Sequence, residues 1–587
     1  MANAELPWVA AFNARTDLAE FEDNALGLFA LAIRFNLDDL ATVAADSITD
    51  GSDDKKCDLI HVDLDNGYAV VAQCYFSSKA RAEAPANKAS DLNTAVNWLL
   101  QREIEDLPER IRSAAQDLRK AIEEGKINQL HIWYVHNLPE SKNVADELRT
   151  VEATASAALR LHFKDLLIKA HALEVGKQIL DDWYNDTQSP ILVTDSFSIN
   201  VDSGFEVSGP AWRAFVTAVP LAFLRREYLK HKVKLFSANV RDYLGSKSSD
   251  SNINNGIKKT AEGEPENFWA YNNGLTILVN SYEPAKAAKD GLKFSFRGMS
   301  IVNGAQTTGA IASLEKPPPA RAKVAVRFIA TEDQEIVYDT IRYNNSQNKV
   351  TASDFRSTDA IQRRLKDEMS KIPQAEYEGG RRGGPTDAIR RRPNLLASYT
   401  VGQSLAALHG DATTAYNQRA EIWSSDGLYA KYFDDHTTAT HIVFAYSLLR
   451  AVEARKIELV KKSKEAPDSM TSSEEEQLKF FRRRGSIFLF VSGVAACLEV
   501  FCGKKIPNLS RVSFGTRTSP NKAQQLWGEL IDRVAPLCVH LEEAFTYGLQ
   551  NQERVRGAIQ RFKSLVEATS TANSPIYKKF AKSIVQK

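Results

Sequence analysis

Apolar residues in the first 150 positions recur at helical and then at strand spacing, and this pattern predicts an α/β domain. The first helix face, spaced by three and four residues, consists of Leu18, Phe21, Ala25, Leu28 and Ala32. Asp17 directly precedes that face and is predicted to cap the helix. An acidic loop, residues 46–56, follows before the next apolar run.

Two short strands and a hairpin turn are predicted next. The strands are 58–62 and 68–75, and the turn between them, 64–67, ends in Asn-Gly, a strong hairpin signal. Residues 88–123 have a helical pattern, and 130–135 are dense in β-branched and aromatic residues, as in a buried strand. The order helix, hairpin, helix, strand predicts an α/β domain over residues 1–150.

The rest of the chain divides into three further segments. Residues 151–230 form a mixed connecting segment, and residues 231–440 combine strand candidates with polar motifs rich in Asn and Gly. The strand candidates there are 275–280, 293–297 and 324–329. Residues 441–587 have a helical pattern. We therefore expect an α/β multidomain protein, with a mixed α+β core in the middle and a mostly helical C-terminal region.

Composition excludes several classes of protein. The chain has 587 residues, of which 43% are hydrophobic and 25% charged, so wholesale disorder and fibrous proteins are excluded. Five cysteines without CxxC spacing indicate a reducing compartment. The N-terminus lacks a signal-peptide pattern, and the most apolar run, 486–498, is too short to cross a bilayer. A cytoplasmic protein without membrane contact is expected.

Charge is spread unevenly, although the net charge is only +1. Residues 1–65 carry 14 acidic and 4 basic side chains, whereas residues 221–260 carry 9 basic and 3 acidic side chains. A large basic surplus, typical of nucleic-acid binding over a whole surface, is absent. Contact with a polyanion would therefore use a local patch of the chain.

Asp58 and Gln73 are the first candidates for chemistry. They lie on the two strands of the predicted hairpin, and each offers an oxygen to a hard cation such as Mg²⁺ or Mn²⁺. Such an ion activates water for phosphodiester hydrolysis, and a nearby lysine stabilises the developing negative charge. The simpler interpretation is an ordinary hairpin, with a surface aspartate and a glutamine that binds a backbone group.

The layout of this hairpin resembles the restriction-endonuclease-like fold, the PD-(D/E)xK superfamily. There an Asp on one strand is followed by a (D/E/Q)-x-K triplet on the next, which corresponds here to Asp58 and Gln73. The resemblance implies Glu22, on the preceding helix, as a third metal ligand. Tyr75 stands where the pattern has lysine, and a tyrosine carries no permanent positive charge. Lys79, four residues later, is the predicted substitute.

Polar motifs with repeated Asn, Gln and Thr distinguish the middle of the chain. They read FWAYNNGLTI at 268–277, IVNGAQTT at 301–308 and YNNSQNKV at 343–350. Asn and Gln side chains both donate and accept hydrogen bonds, and Asn-Gly before a strand also forms a turn. The motifs predict either a site that binds a ligand through hydrogen bonds or a polar arrangement that only holds loops together.

These motifs resemble the abortive-infection phage-resistance (AIPR) family over residues 230–400. The resemblance implies a role in bacterial defence against phages. The predicted ligand or nucleic-acid contacts in these motifs and in two arginine segments are Arg241, Asn272, Asn273, Asn303, Gln306, Thr307, Thr308, Asn345, Gln347, Arg381 and Arg382. For the arginine loop around 381–392, a solvated surface loop is the alternative.

Two hypotheses of function follow from the sequence. The first is a phage-defence effector that cleaves DNA or RNA with Mg²⁺ or Mn²⁺, using Asp58, Gln73 and Lys79 for catalysis. The second is a sensor or adaptor without catalysis, in which the nuclease fold has decayed and the polar motifs recognise a nucleotide or a phage product. Nucleic acid and a phage-derived trigger are the expected partners, and self-association is left open.

Overall fold

The computed structural model describes residues 6–586 except 36, 38, 52, 80, 165, 167, 189–190, 192, 232–234, 237–248, 289–290, 346–355, 357–358, 380–393 and 548. The chain divides into two compact units. We call the one made of residues 1–10, 33–35 and 178–350 the central unit. The other, made of 11–32, 36–177 and 351–587, is the flanking unit.

A four-stranded sheet forms the first part of the flanking unit. Its strands are β1 (Leu59–Asp63), β2 (Tyr68–Tyr75), β3 (Gln129–His136) and β4 (Lys169–Val175), in the order β1-β2-β3-β4. β1 and β2 form an antiparallel hairpin, whereas β2, β3 and β4 run parallel. The predicted hairpin is confirmed, and the first strand begins one residue after Asp58 rather than at it.

The helices Ala86–Gln101, Glu109–Glu123 and Lys142–His162 cover this sheet because their apolar faces pack on buried strand residues. The helices that begin within residues 7–177 are Pro7–Asn13, Asn24–Phe35, Leu40–Ser47, Ala86–Gln101, Glu109–Glu123, Lys142–His162 and Lys177–Gln188. The predicted helix over 88–123 is two helices. Pro108 starts the second, and Leu107 before it takes the extended backbone that a following proline favours.

The expected start of the first helix is also different. Asp17 does not cap it, because its carboxylate binds the Arg15 guanidinium at 2.8 and 2.9 Å. Residues Thr16–Phe21 form a 3₁₀ helix instead. Glu22 then has a positive φ of 51°, which a right-handed helix does not allow, so the α-helix begins only at Asn24.

The central unit is built on an eight-stranded sheet. Its strands are β5 (Val193–Val201), β6 (Gly204–Ser208), β7 (Arg213–Pro220), β8 (Leu275–Val279), β9 (Ser281–Tyr282), β10 (Lys286–Ala288), β11 (Gly291–Asn303) and β12 (Lys323–Ala330). The order is β10-β11-β8-β12-β7-β6, with β5 and β9 also paired to β11. Phenylalanines of β5, β7, β11 and β12 fill its core. The candidates 275–280 and 324–329 are confirmed to within one residue at each end, and 293–297 lies inside the longer strand Gly291–Asn303.

Several helices follow or connect these strands in the described part of the central unit, after the helix Lys177–Gln188 that precedes β5. They are Leu221–His231, Ser249–Gly263, Phe268–Tyr271, Ala305–Ala312 and Gln334–Asn345. The helix Ala305–Ala312 starts directly after β11, and Phe268–Tyr271 lies just before β8. The first four residues of the motif at 268–277 and the last four of the motif at 301–308 are therefore helical.

The C-terminal part of the flanking unit is helical, as predicted for residues 441–587. Its α-helices are Ala360–Met369, Ser398–Leu408, Ala412–Asn417, Glu421–Ser424, Asp426–Tyr432, Ala439–Glu465, Ser472–Arg482, Ser486–Ala496, Leu498–Cys502, Pro520–Val534, Gln552–Ala568 and Ser570–Ser583. This part also contains the 3₁₀ helices Pro467–Ser469, Leu509–Arg511 and Ala535–Tyr547 and the strand pair β13 (Val512–Ser513) and β14 (Val585–Gln586). The apolar run at 486–496 is a helix with ten buried residues.

No helix in the described part of the chain is both long enough and apolar enough to cross a membrane. The apolar helix Ser486–Ala496 instead packs inside the flanking unit.

Ion pairs join the acidic N-terminal residues to basic residues of the C-terminal helices within the flanking unit. The pairs are Asp39 with Arg450, Asp63 and Asp65 with Arg419, and Glu22 and Asp50 with Lys464. The acidic excess of the first 65 residues is therefore partly neutralised inside this unit.

Candidate functional site

Three aspartates meet just before β1, in the flanking unit. Side-chain oxygens of Asp50, Asp54 and Asp58 lie within 4.8 Å of one another. Mg²⁺ binds oxygens at about 2.0–2.1 Å, so two ligand atoms on one ion are about 3–4 Å apart. Small side-chain movements would bring these carboxylates to that spacing. The group can therefore accommodate a hard divalent cation.

The loop that carries these aspartates has an unusual backbone. Asp53, Lys55 and Lys56 have φ values of 67°, 55° and 68°, in the left-handed region that few residues other than glycine adopt. Each such residue costs about 1–2 kcal/mol relative to the right-handed form. The loop turns back tightly at these residues, so that Asp50 and Asp54 face Asp58.

Asp58 is fixed by the backbone of β2. Its amide donates to the Ala72 carbonyl at 2.9 Å, and its carboxylate accepts from the Cys74 amide at 2.6 Å. The pKa of Asp58 is raised to about 7, mainly by burial; the hydrogen bond from the Cys74 amide and the charge of Lys88 oppose the rise, while repulsion from Asp50 and Asp54 adds to it. A neutral carboxyl and a carboxylate are therefore both accessible near neutral pH.

Gln73 lies beside Asp58, because Asp58 binds the backbone of both neighbours of Gln73. The Gln73 side chain is only 5% exposed, and its oxygen accepts no hydrogen bond within the described part of the chain. Tyr134 is paired with Gln73 between the strands β2 and β3. Its buried hydroxyl likewise makes no hydrogen bond within the described part of the chain. Buried polar atoms are usually paired, so an unpaired acceptor next to a carboxylate cluster is typical of a ligand site.

A lysine other than the predicted one lies near Asp58. Lys88, in the first turn of the helix Ala86–Gln101, has its ammonium 4.9 Å from the centre of the Tyr75 ring and lowers the pKa of Asp58. Tyr75, at the position where the sequence comparison expected a lysine, makes a cation–π contact with Lys88. The Lys79 backbone binds the Ser77 hydroxyl, and its assignment to catalysis stays a prediction.

Glu22 is not one of the three clustered carboxylates. It forms an ion pair with Lys464 at 2.7 Å, and the same ammonium binds Asp50 at 2.9 Å. Asn24 also donates to Asp50 at 2.9 Å. Glu22 is therefore connected to the cluster through Lys464, and Asp50 and Asp54 are the carboxylates that lie beside Asp58. Sequence reasoning missed both, although the Asp50, Asp54, Asp58 spacing of four residues was a signal.

A second group of polar side chains lies in the central unit, at the ends of β8 and β11. The Asn272 amide donates to the Thr307 hydroxyl at 3.3 Å, and its oxygen accepts from the Gly274 amide at 3.0 Å. Thr308 is fully buried and donates to the Gly304 carbonyl at 3.0 Å. These contacts join the motif at 268–277 to the motif at 301–308.

Arg327 connects this group to the third motif. It donates to the Thr276 hydroxyl at 2.6 Å and to the Asn344 side-chain oxygen at 2.8 Å, and Thr276 donates to that same oxygen at 2.9 Å. Asn303 pairs with Thr276 across β8 and β11. Arg327 comes from β12, outside all the motifs, so sequence reasoning missed it. Buried and less buried residues alternate along β12, and Arg327 is exposed between two buried neighbours. This alternation was the signal that could have identified Arg327 from the sequence.

The structure describes the other residues predicted to contact a ligand only in part. Asn273 is exposed next to Asn272. Gln306 and Asn345 lie on helices, but their side chains are outside the described residues, as are Arg241, Gln347, Arg381 and Arg382 altogether. The roles of all of them stay predictions. Two aromatic side chains in this region, Trp269 and Tyr271, are 55% and 66% exposed.

The glycines of two motifs are required by the backbone. Gly274 has φ 82°, and a Cβ there would lie 2.9 Å from the Ala325 carbonyl oxygen. Gly304 has φ 106°, and a Cβ there would lie 2.3 Å from the Leu275 side chain. The Asn-Gly pairs therefore form turns where the chain enters and leaves strands of the central sheet. The sequence analysis predicted this turn-forming role for Asn-Gly.

Gly274→Ala is expected to lower the free energy of unfolding of the central unit by about 1–3 kcal/mol, because the new Cβ meets backbone and the φ is unfavourable. Thermal unfolding followed by circular dichroism measures this change. Gly256→Ala is the control, because Gly256 lies in a helix with no atom within 4 Å of a new Cβ. A Gly274→Ala protein as stable as the control variant would contradict the strain argument.

The family model described as AIPR protein matches residues 236–394. The matched segment contains the polar motifs and every predicted ligand contact, so the resemblance to AIPR proteins is confirmed over that segment. No curated protein matches the chain, and no solved structure matches it.

Proposed function

We propose that this protein is a bacterial phage-defence effector and that its N-terminal α/β domain is a metal-dependent nuclease of restriction-endonuclease-like fold. The match to AIPR proteins supports the phage-resistance role. The observation that carries the nuclease assignment is the group formed by Asp50, Asp54 and Asp58, with the unpaired buried oxygen of Gln73 beside it. Nucleic acid, DNA or RNA, is the proposed substrate.

The donor set fits Mg²⁺ or Mn²⁺. Asp58, directly before β1, and Gln73, on β2, offer oxygens side by side, and Asp50 and Asp54 add carboxylates from the loop. Hard cations prefer such oxygen ligands. A bound ion of this kind would generate the nucleophile and polarise the phosphate. Lys88, near Asp58, and Lys79, predicted from the sequence, are the two candidates for stabilising negative charge on the phosphate.

Metal affinity is expected to depend on pH through Asp58. The pKa of Asp58 is raised to about 7, so a proton competes with the metal ion below that pH. The apparent affinity for Mn²⁺ should be nearly constant above about pH 8 and should fall about tenfold per pH unit below about pH 6. Isothermal titration calorimetry in a pH series measures this dependence. An affinity that is constant between about pH 5 and about pH 8 would contradict a role for Asp58 as ligand.

Cleavage by the purified protein tests the proposed activity. Duplex DNA, single-stranded DNA and RNA would be incubated with Mg²⁺ or Mn²⁺, beside Asp58→Ala, Lys88→Met and Lys79→Met. Metal-dependent cleavage that is lost in Asp58→Ala supports the nuclease, and the lysine variant that loses activity identifies the charge-stabilising residue. Cleavage that persists in Asp58→Ala would show that Asp58 is not part of the catalytic site.

The second candidate function is a sensor without catalysis. Tyr75 in place of lysine and the hydrogen-bonded polar group around Asn272, Thr276 and Asn344 favour it. The exposed Trp269 and Tyr271 offer surfaces on which a base could stack. In a phage-challenge assay, this hypothesis predicts that Asp58→Ala still protects cells and that Asn344→Ala does not. The nuclease hypothesis predicts loss of protection in Asp58→Ala.

A further inference from the structure

A cavity of about 650 Å³ lies inside the flanking unit. Its wall includes β1, the helix Glu109–Glu123, and the ends of the helices Ser472–Arg482 and Ser486–Ala496. The cavity is separate from the aspartate group, none of whose three members lines it. Its volume is within the range of about 300–1,000 Å³ that is usual for small-molecule sites.

The wall carries an excess of positive charge. Five arginines and three lysines line it, against five carboxylates. Three of those carboxylates already have cationic partners, since Asp65 pairs with Arg419, Asp117 lies 3.7 Å from Arg484, and Glu124 pairs with Lys126. The surplus is concentrated in the consecutive residues 482–484, which the sequence places before an apolar helix.

Arg482 has little compensation for its charge. No carboxylate of the described residues lies within 4 Å of its guanidinium, and Arg110 is a nearby like charge. Burial, and then repulsion from Arg110, lowers the pKa of Arg482 to about 10, while Glu109 opposes the change. A partly buried arginine without an anion within reach costs free energy that a bound anion would recover.

Two further polar atoms on the wall lack hydrogen-bond partners among the described residues. Arg484 donates to the Ile60 carbonyl at 2.7 Å, and its Nε makes no hydrogen bond but lies 3.7 Å from the Asp117 carboxylate. His61 contacts the Ser47 hydroxyl through Nδ1 at 3.2 Å, and its buried Nε2 makes no hydrogen bond. Burial lowers the pKa of His61 to about 4, so the ring is neutral at physiological pH. Both atoms are shielded from solvent, so a bound anion would be held instead by the surplus positive charge of the wall.

We propose that this cavity binds a small ligand with two or more phosphate groups, of nucleotide size, held by Arg482 and Arg484. Guanidinium groups bind phosphate oxygens in pairs, and their fork matches the phosphate geometry. Tyr416, Phe488 and Phe545 supply aromatic surface on the same wall for a base. The cavity is too small for a nucleic-acid duplex, whose major groove alone is about 12 Å wide. The proposal does not depend on nuclease activity.

Binding of ATP, GTP, cyclic di-AMP and inorganic tripolyphosphate to the full chain, without divalent metal, tests this proposal by calorimetry. The expected result is saturable binding of at least one probe and a loss of about tenfold or more in Arg482→Gln, because one charge-assisted contact is removed. The thermal stability of Arg482→Gln without ligand should equal or exceed that of the wild type, because repulsion from Arg110 is removed. Should that variant fail to fold, Arg483→Gln removes a charge from the same wall.

Arg149→Gln is the matched control, because Arg149 is 75% exposed and pairs with Asp146 on the surface of the same unit. Its affinity should equal that of the wild type. Equal affinity for ATP and tripolyphosphate would mean that the phosphate chain alone is recognised, which supports the proposal. No binding at millimolar probe, or unchanged binding by both cavity variants, would overturn it. A short RNA that binds where mononucleotides do not, and that loses affinity in Arg482→Gln, would replace it with a nucleic-acid site.

Discussion

Asp58→Asn is expected to abolish metal-dependent cleavage and, at the same time, to stabilise the metal-free protein at about pH 8. Substitutions beyond the direct ligands of a metal already cost about 10–100-fold in affinity or activity, so loss of a proposed ligand should cost more. Asparagine keeps the shape of Asp58 and can still accept from the Cys74 amide. It lacks the negative charge of the carboxylate, which burial and the neighbouring Asp50 and Asp54 disfavour.

The sign of the stability effect follows from the raised pKa of Asp58, about 7 against 3.8 for the ordinary group. The folded protein holds this proton more tightly than the unfolded chain. The free energy of unfolding therefore falls as pH rises between these two values, by up to about 4 kcal/mol. The amide of Asp58→Asn does not ionise, so the variant should escape this loss and be more stable than the wild type at about pH 8, with the difference vanishing at about pH 4.

Thermal unfolding of both proteins at several pH values, without metal, measures this effect. Asp53→Asn is the matched control, because Asp53 lies in the same loop with a side chain that is 61% exposed. The control should change neither stability nor cleavage. An Asp58→Asn protein that is less stable than the wild type at about pH 8 would show that the carboxylate stabilises the fold, contrary to the account.

Arg450→Met is expected to destabilise the flanking unit by about 3–5 kcal/mol, the usual cost of removing one partner of a buried ion pair. Arg450 lies between Asp39 and Glu453, whose side chains are 11% and 3% exposed. It also donates to Thr42 at 3.0 Å and to Tyr446 at 2.6 Å. Methionine would fill part of the space and leave two buried carboxylates without their cation.

Denaturant unfolding monitored by tryptophan fluorescence measures this loss. A protein of this size need not unfold in one step, so the midpoint of the transition assigned to the flanking unit is the quantity to compare. Lys461→Ala is the control, because Lys461 is 60% exposed on the same helix and pairs only at 3.7 Å with Glu465. The control should cost less than about 0.5 kcal/mol. A cost below about 1 kcal/mol for Arg450→Met would contradict the importance of this buried pair.

Local patterns predicted much of the fold. The strand β2 was predicted at its observed bounds, because seven of its eight residues are buried and form one apolar run. The helix over 88–123 was predicted without its break, because the apolar spacing continues across residues 102–108 and only Pro108 indicates the interruption. Asp17 was assigned to capping because the sequence does not show that Arg15 would take its carboxylate.

The candidate site was only partly predictable. Asp58 directly precedes β1 and Gln73 lies on β2, so the hairpin pattern was enough to bring them together. Lys464 pairs with Glu22 across 442 residues of sequence, and no local pattern predicts such a contact. Lys88 is brought towards Asp58 by the start of a helix that follows β2, which depends on how that helix packs on the sheet. Contacts of this kind need the tertiary fold.

Mn²⁺ binding to the wild type and to Asp58→Asn at about pH 8, followed by electron paramagnetic resonance, is the most direct test of the metal centre. The account predicts a bound-Mn²⁺ signal for the wild type that saturates with one or two ions, and a loss of that signal in Asp58→Asn while Asp53→Asn keeps it. A wild-type protein that leaves all Mn²⁺ free in solution, or an Asp58→Asn protein that binds it equally well, would contradict the assignment of Asp50, Asp54, Asp58 and Gln73 as a metal site.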